Sequence, residues 1–472
     1  MSPGDSLPAS AGGGARRSSH VAQRSVFGFV LGHHYTRIDD GPPLIPVASP
    51  SPRARVDALV RHPLVVVLVT CSVGLFFISC SVASLENGFG DGQGNYRNGS
   101  NIDVFQDYNI SAPDGSAIAT FIGFGATLTN FYVEDKNGHF RDVVLGYDDR
   151  RQYLSDPDYA YYGAVVGRYA NRIMNATFSI PPLRHLDEPL PSGTTVYKVA
   201  ANEQGGKTAL HGGQWGYSRA GWSLIKHEPD RITFGLRDRG AEGAVKTGKG
   251  TPIMMSSHVY WNLDGYGHDT SGAVGKTTNK GALDHILKLK SSSYVATDEI
   301  LVRQIRHVAS SGTPAELMIS PMQVPSGPIT RIASNSSPLD FRKARTIGSR
   351  FSGTQGLCGG GCTGYDTCFI YDQLRAPREP VMELISPDSG IRLSVRTNQP
   401  ADQVYTCNHQ GSTPRKHSHG GPDAGFYEKH SCVVLEQQGR IGAIREPEWG
   451  EDHIYTPTKA YDWWSEYSFT TV

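Results

Sequence analysis

The chain has 472 residues, enough for two or three average domains or for one large β domain with appendages. Lys plus Arg and Asp plus Glu each number 45, so the formal net charge is zero and no overall basic field exists to hold a nucleic acid. With 54 Gly and 29 Pro against 38% hydrophobic residues, the composition favours short strands joined by turns, as in a sandwich or barrel, over long helices.

The first elements in chain order concern a membrane. Residues 1–62 are rich in Ser, Pro, Arg and Gly without sustained apolar periodicity, so they are expected to form a disordered cytoplasmic tail. From Leu64 to Ala83 the chain reads LVVVLVTCSVGLFFISCSVA, an uncharged run as long as a helix needs to cross hydrocarbon, and 63–85 is predicted as one transmembrane helix. A long segment precedes it in place of the short basic leader of a cleaved signal peptide. Arg53, Arg55 and Arg61 stand on one side of the run, Glu86 and Asp91 on the other. That asymmetry holds the N-terminus in the cytoplasm and predicts a single-pass type II membrane protein with its body in a lumen or outside the cell. Sequons at Asn98, Asn109, Asn175 and Asn335 agree with this topology.

Cys71 and Cys80 fall in the apolar run, leaving Cys358, Cys362, Cys368, Cys407 and Cys432, an odd set that cannot all pair within one chain. In an oxidising compartment the stretch LCGGGC is spaced for a small disulfide between Cys358 and Cys362. The metal alternative is weaker, because no His or further Cys pair stands nearby at ligand spacing.

After a Gly/Asn-rich linker over 86–110, residues 111–472 form a run of β-branched and aromatic segments between turns: ATFIGF, TLTNFYVED, RDVVLGY, ATFSI, RITFGL, SSHVYWNL, DHILKLK, TCFIYD, IRLSVRT and CVVLEQ. Several alternate apolar and polar residues, as a sheet with one buried face requires. The prediction is a single all-β, mostly antiparallel domain.

Ionisable groups stand inside otherwise apolar or glycine-rich text in GRYANRI, LHGG, SSHVYWNLDG and CVVLEQQG. Singly each has a plain explanation: a lone strand His is more often a satisfied core group, and a Glu ending a strand is usually solvated. Their combination is more specific. Gly125-Ala-Thr-Leu, Val144-Leu-Gly-Tyr, Gly167-Arg-Tyr-Ala-Asn-Arg-Ile, Leu210-His-Gly-Gly, His258-Val-Tyr-Trp-Asn-Leu, Asp340-Phe-Arg, Gly364-Tyr-Asp, Thr397-Asn-Gln-Pro and Leu435-Glu-Gln resemble, in content and order, the aldose 1-epimerase (galactose mutarotase) family.

The resemblance implies a large antiparallel β-supersandwich with the sugar in an open cleft, and a monomeric, cofactor-free and metal-free enzyme acting on free hexoses such as glucose or galactose. By position, Glu436 matches the general base and His258 the general acid, His211, Asp366 and Arg172 match sugar-positioning residues, and Asn171 and Gln403 match further substrate contacts. Opening a pyranose needs one proton to leave the anomeric hydroxyl while another reaches the ring oxygen, so a base and an acid must flank the sugar. A carboxylate at Glu436 and an imidazolium at His258 suit that task, with a partly desolvated Glu and a His held near a carboxylate such as Asp366. Trp215, Trp222, Tyr260 and Trp261 are candidates to pack on a sugar ring, with a role in the sheet core at even odds for each.

Two features depart from the family pattern. Arg303 to Met322 intervenes where the family runs almost directly into a proline turn, and reads either as a surface loop or as an error of the gene model. Tyr260-Trp-Asn-Leu and Asn398-Gln-Pro-Ala replace the usual Tyr-Phe-Asn-Leu and Thr-Gln-Pro-Gly, which bears on substrate preference. The alternatives are a non-catalytic carbohydrate-binding sandwich, or a hexose-6-phosphate mutarotase whose phosphate would recruit residues such as Arg219 and Arg237.

Overall fold

The computed structural model describes residues 103–472 apart from 158–159, 181–194, 204, 239–250, 267–280, 298–324, 334–335, 360, 373–378, 447–448 and 457–458, together with strands Phe27–Thr36 and Val65–Val73. The described body is built of antiparallel strands, as its composition and patterning require. A six-stranded sheet runs in the order Tyr260–Trp261, Val433–Gln438, Ala401–Tyr405, Asp366–Tyr371, Ser291–Thr297 and Pro325–Arg331. A nine-stranded sheet includes Arg231–Asp238, Asp462–Thr471, Ile391–Thr397, Met382–Ile385 and Ile286–Leu289, and a four-stranded sheet covers Tyr108 to Asp142.

Alternation along the strands makes the core. In Ile391–Thr397 the residues Ile391, Leu393, Val395 and Thr397 are buried and the intervening ones are not. They pack with Leu384, Trp261, Phe131, Tyr467 and Phe469 and with Val433 and Leu435 from the six-stranded sheet. Val434, one residue out of phase, instead joins Tyr162, Tyr260 and Tyr427 in a second cluster. The Val433–Gln438 strand is therefore buried on both faces, and its outer face carries Glu436.

The N-terminal expectations meet a different arrangement. Among the described residues no helix is long and apolar enough to cross a membrane. Within 63–85, where a transmembrane helix is predicted, Val65–Val73 is a strand; within 1–62, expected to be disordered, Phe27–Thr36 is another. The two pair with each other and fill the nine-stranded sheet between Arg231–Asp238 and Asp462–Thr471. An apolar run rich in Val suits a pleated ladder as well as a helix, which is why hydropathy alone did not separate them. The rest of both segments, the linker 86–102 and the insertion Arg303–Met322 lie outside the described residues.

The segment Cys358–Cys362 forms the small disulfide for which its spacing is suited. A second joins Cys407 to Cys432, and Cys368 is buried and unpaired.

Candidate active site

Register alone brings three of the candidate side chains into a row. Gln403 and Glu436 are direct cross-strand partners. Tyr260 is paired with Val434, and the same register carried two residues further sets His258 across from Glu436. One strand over, Asp366 lies a single pleat away from the residue paired with Gln403. Side chains two apart on a strand share a face, so Asp366, Gln403, Glu436 and His258 share one surface of the six-stranded sheet.

The remaining candidates arrive on a short two-stranded ribbon, Arg172–Ile173 paired with Ala209–Leu210. Asn171 and His211 sit at its end, each accepting or donating across it: His211 donates its backbone N–H to the Asn171 carbonyl at 3.0 Å, and the Asn171 backbone N–H donates to His211 Nδ1 at 3.1 Å. The glycine after His211 is obligatory, since a Cβ at Gly212 would lie 2.1 Å from the Gly167 carbonyl oxygen and the backbone there has φ of 86°. That is the physical content of the LHGG motif.

His258 Nε2 lies 3.6 Å from Glu436 Oε1, and both residues are almost completely buried. The rings of His211 and His258 meet edge to face at 5.1 Å. Gln403 donates to Asp366 Oδ1 at 2.5 Å, while Asp366 Oδ2 lies 3.9 Å from Arg172 Nη1. The carboxylate beside His258 is thus Glu436, where Asp366 was expected; Asp366 belongs to Arg172 and Gln403 instead. His258 Nδ1, Gln403 Oε1 and Glu436 Oε2 are buried with no hydrogen-bond partner among the described residues. Buried polar atoms are normally satisfied, so three together mark a surface shaped for a polar ligand.

Electrostatics follow from burial. Desolvation pushes the Glu436 carboxyl well above its usual range, helped by Asp366 and Asp402 and opposed by Arg172. It also pushes His258 down to about 3 and His211 well below the ordinary histidine value. Burial thus works against the imidazolium expected at His258 and against the Glu436 carboxylate alike. Asp366 is raised by burial and held back by Arg172 and Gln403.

His211, His258 and Glu436 each place a donor atom within 4.8 Å of the others, a grouping compatible in size with a metal ion. The hydrogen bonding argues otherwise. Because His211 Nδ1 accepts the Asn171 N–H, the neutral ring carries its proton on Nε2 and presents a donor where a metal would need a lone pair. The trio suits hydroxyl groups.

Two contributors were not legible as motifs. Tyr161 packs on both histidines, with ring centroids at 4.7 Å from His211 and 5.5 Å from His258. Its backbone is left-handed (φ 57°), as are those of Asn171 (56°) and His211 (51°). Such conformations are costly for bulky residues and gather at functional sites. Glu203 accepts two hydrogen bonds from Arg172. Of the aromatic candidates, Tyr260 lies 5.1 Å from the His258 ring. Trp222 packs on Tyr217, and Trp261 on Phe131, Tyr467 and Phe469, so both serve the core.

The sequence profile of the aldose 1-epimerase family matches residues 107–244 and 316–468. A probable aldose 1-epimerase of Arthroderma benhamiae is 32% identical over 434 residues, spanning 79% of this chain and 88% of that protein. A galactose mutarotase of Bos taurus is 25% identical over 378 residues, 74% of this chain and 90% of that one. An aldose 1-epimerase of Escherichia coli is 25% identical over 377 residues, 75% and 92% respectively. The crystal structure of an aldose epimerase homologue from C. elegans shares the fold with a TM-score of 0.58 at 21% identity, covering 78% of this chain and 99% of that one.

Proposed function

The chain belongs to the aldose 1-epimerase family, and from that premise we propose how its residues interconvert the α and β anomers of a free hexose such as glucose or galactose. It is an isomerase. One group takes the proton of the anomeric hydroxyl while another delivers a proton to the ring oxygen; the bond between C1 and the ring oxygen breaks, C1 rotates about its bond to C2, and reclosure gives the other anomer. Glu436 acts as base and His258 as acid in one direction, and they exchange roles in the other. The observation that carries this reading is the buried pair itself, 3.6 Å apart with one polar atom of each partner unsatisfied.

The proton count closes. A neutral carboxyl beside a neutral imidazole holds one proton, as does a carboxylate beside an imidazolium, and the two forms differ by one transfer across the gap. At 3.6 Å that gap exceeds a hydrogen bond, so the transfer runs through the sugar's own oxygens or after closer approach. Arg172, His211, Asn171, Asp366 and Gln403 orient the hydroxyls.

Polarimetry of freshly dissolved α-D-glucose or α-D-galactose with the purified full chain tests the reading. Glu436→Gln and His258→Asn are each expected to lower catalysed mutarotation by on the order of 100- to 10,000-fold with unchanged circular dichroism. Either variant keeping most of its activity would remove that residue from the chemistry.

We also propose a single-pass type II anchor in 63–85 with a lumenal or extracellular, glycosylated body. Its support is the uncharged run, the flanking arginines, the two disulfides, which persist in oxidising compartments, and the exposure of the sequon residues Asn109 and Asn175. The strand Val65–Val73 is the competing placement of the same residues. A mass decrease on treatment with a glycosidase specific for Asn-linked glycans, in protein that resists alkaline extraction from membranes, is the expected result. Unglycosylated, freely extracted protein would favour the strand.

A further inference from the structure

Resting on the epimerase reading, we propose that Glu203 is a positioning residue, which holds the Arg172 guanidinium in place for the sugar and keeps it off the Glu436 carboxyl. No motif points to this glutamate; in the sequence it is one polar residue in a polar turn.

The geometry is specific. Glu203 Oε2 accepts from Arg172 Nε at 2.9 Å and Oε1 accepts from Arg172 Nη2 at 2.8 Å, so one whole edge of the guanidinium is committed. The Nη1 group lies 3.9 Å from Asp366 Oδ2 and is the part of the fork turned toward the candidate site. Bidentate pairs of this kind fix direction as well as charge. Arg172 and Glu203 side chains are only 14% and 22% exposed, so solvent does little to weaken the pair.

The turn bearing Glu203 is itself held. Glu203 and Thr208 exchange backbone hydrogen bonds in both directions, at 3.1 and 3.3 Å. Next to it, Asn202 accepts from the Leu210 N–H at 2.7 Å and donates to the Leu210 carbonyl at 3.1 Å, one residue ahead of His211. Leu210 in turn pairs with Arg172 in the ribbon. One small turn therefore sets both Arg172 and His211.

Charge explains why a holder is needed. Arg172 is surrounded by Glu203, Asp366 and Glu436, and their combined field more than offsets the cost of burying it. Glu436 Oε2 has no hydrogen-bond partner among the described residues. Without Glu203, an arginine with a free edge, already 3.9 Å from Asp366 Oδ2, would turn onto Glu436 as well. That would bind the proposed base in an ion pair and withdraw Nη1 from the sugar.

The test compares Glu203→Gln, Glu203→Asp, Arg172→Ala and the double variant Arg172→Ala/Glu203→Gln in the full chain, using α-D-galactose. Glu203→Gln is expected to raise KM on the order of 10- to 100-fold, with a smaller fall in kcat, and Glu203→Asp to recover part of the loss. In the Arg172→Ala background, Glu203→Gln is expected to add less than about twofold, because the residue it positions is gone. Additive effects in that cycle, or an unchanged KM in Glu203→Gln, would overturn the proposal. A loss shared equally by KM, kcat and thermal midpoint would do the same, since it marks a purely structural role. Failure of the epimerase reading shows separately, as wild-type chain that does not accelerate mutarotation; calorimetric binding of D-galactose then carries the same comparison.

Discussion

His258 and Glu436 show how burial sets chemistry at the level of single side chains. Two ionisable groups removed from water in one spot settle into their neutral forms, and the pair keeps a single mobile proton. With His258 pushed down to about 3, a second proton is taken on only in strong acid, and Glu436, raised well above the usual carboxylate range, holds the remaining one more tightly than an ordinary carboxyl. The rate constant kcat/KM, which reports the free enzyme, is therefore expected to stay level as pH falls through 6.5, the ordinary histidine value. A polarimetric pH profile checks this, and an acid limb centred near 6.5 would refute it. The seven candidate residues were legible: six of them stand in motifs whose neighbours are also constrained, such as the glycine after His211, whereas Gln403 lies just beyond Thr397-Asn-Gln-Pro. Glu203 and Tyr161 were not, because a lone glutamate in a polar turn and a tyrosine among tyrosines carry no pattern until the fold sets them against Arg172 and the histidines.

Between the strand that carries Gln403 and the one that carries Glu436 lies an excursion, 406–432, closed by a disulfide between Cys407 and Cys432, 25 positions apart. Its middle is tied down by a buried ion pair. Lys416 Nζ lies 2.6 Å from Asp142 Oδ2 and 2.9 Å from the Thr129 carbonyl, with both charged side chains fully inaccessible. Asn130, Ser418 and the Phe131 N–H also donate to Asp142, so the carboxylate is saturated. Asp142→Asn removes the charge and leaves a buried ammonium uncompensated, at a cost of about 3–5 kcal/mol. Urea denaturation followed by tryptophan fluorescence measures it, and a loss under about 1 kcal/mol would show that water reaches Lys416. Strands at this scale were legible where β-branched runs alternate, as in IRLSVRT. Ala401–Tyr405 was not among the predicted strands, because ADQVY mixes a buried Asp and Gln into its ladder, and those polar residues are there for the site and the core. The excursion had no signal beyond its two cysteines, whose pairing spacing alone could not choose.

At the level of the whole chain, the site draws on residues from Asn171 to Glu436, and the neighbouring strands of the six-stranded sheet are distant in sequence. The sandwich class was legible from composition and from the order of the motifs. The N-terminal segment 1–85 was the weak point, since an apolar run of Val and Leu satisfies a lipid and a sheet gap equally well. Val65–Val73 cannot be in both places: as a strand it closes the ladder between Arg231–Asp238 and Phe27–Thr36, and as part of an anchor it leaves that position to be filled otherwise. The two arrangements are thus alternatives for one protein, which the glycan and extraction measurements separate. The other end of the chain is less ambiguous. Trp463 Nε1 donates to the Gln437 carbonyl at 2.7 Å and the Tyr467 hydroxyl to the Gln437 side chain, bracing the residue beside Glu436 from behind. In genetic terms, a premature stop just before Asp462 is expected to read out as a null allele, although it deletes none of the candidate site residues.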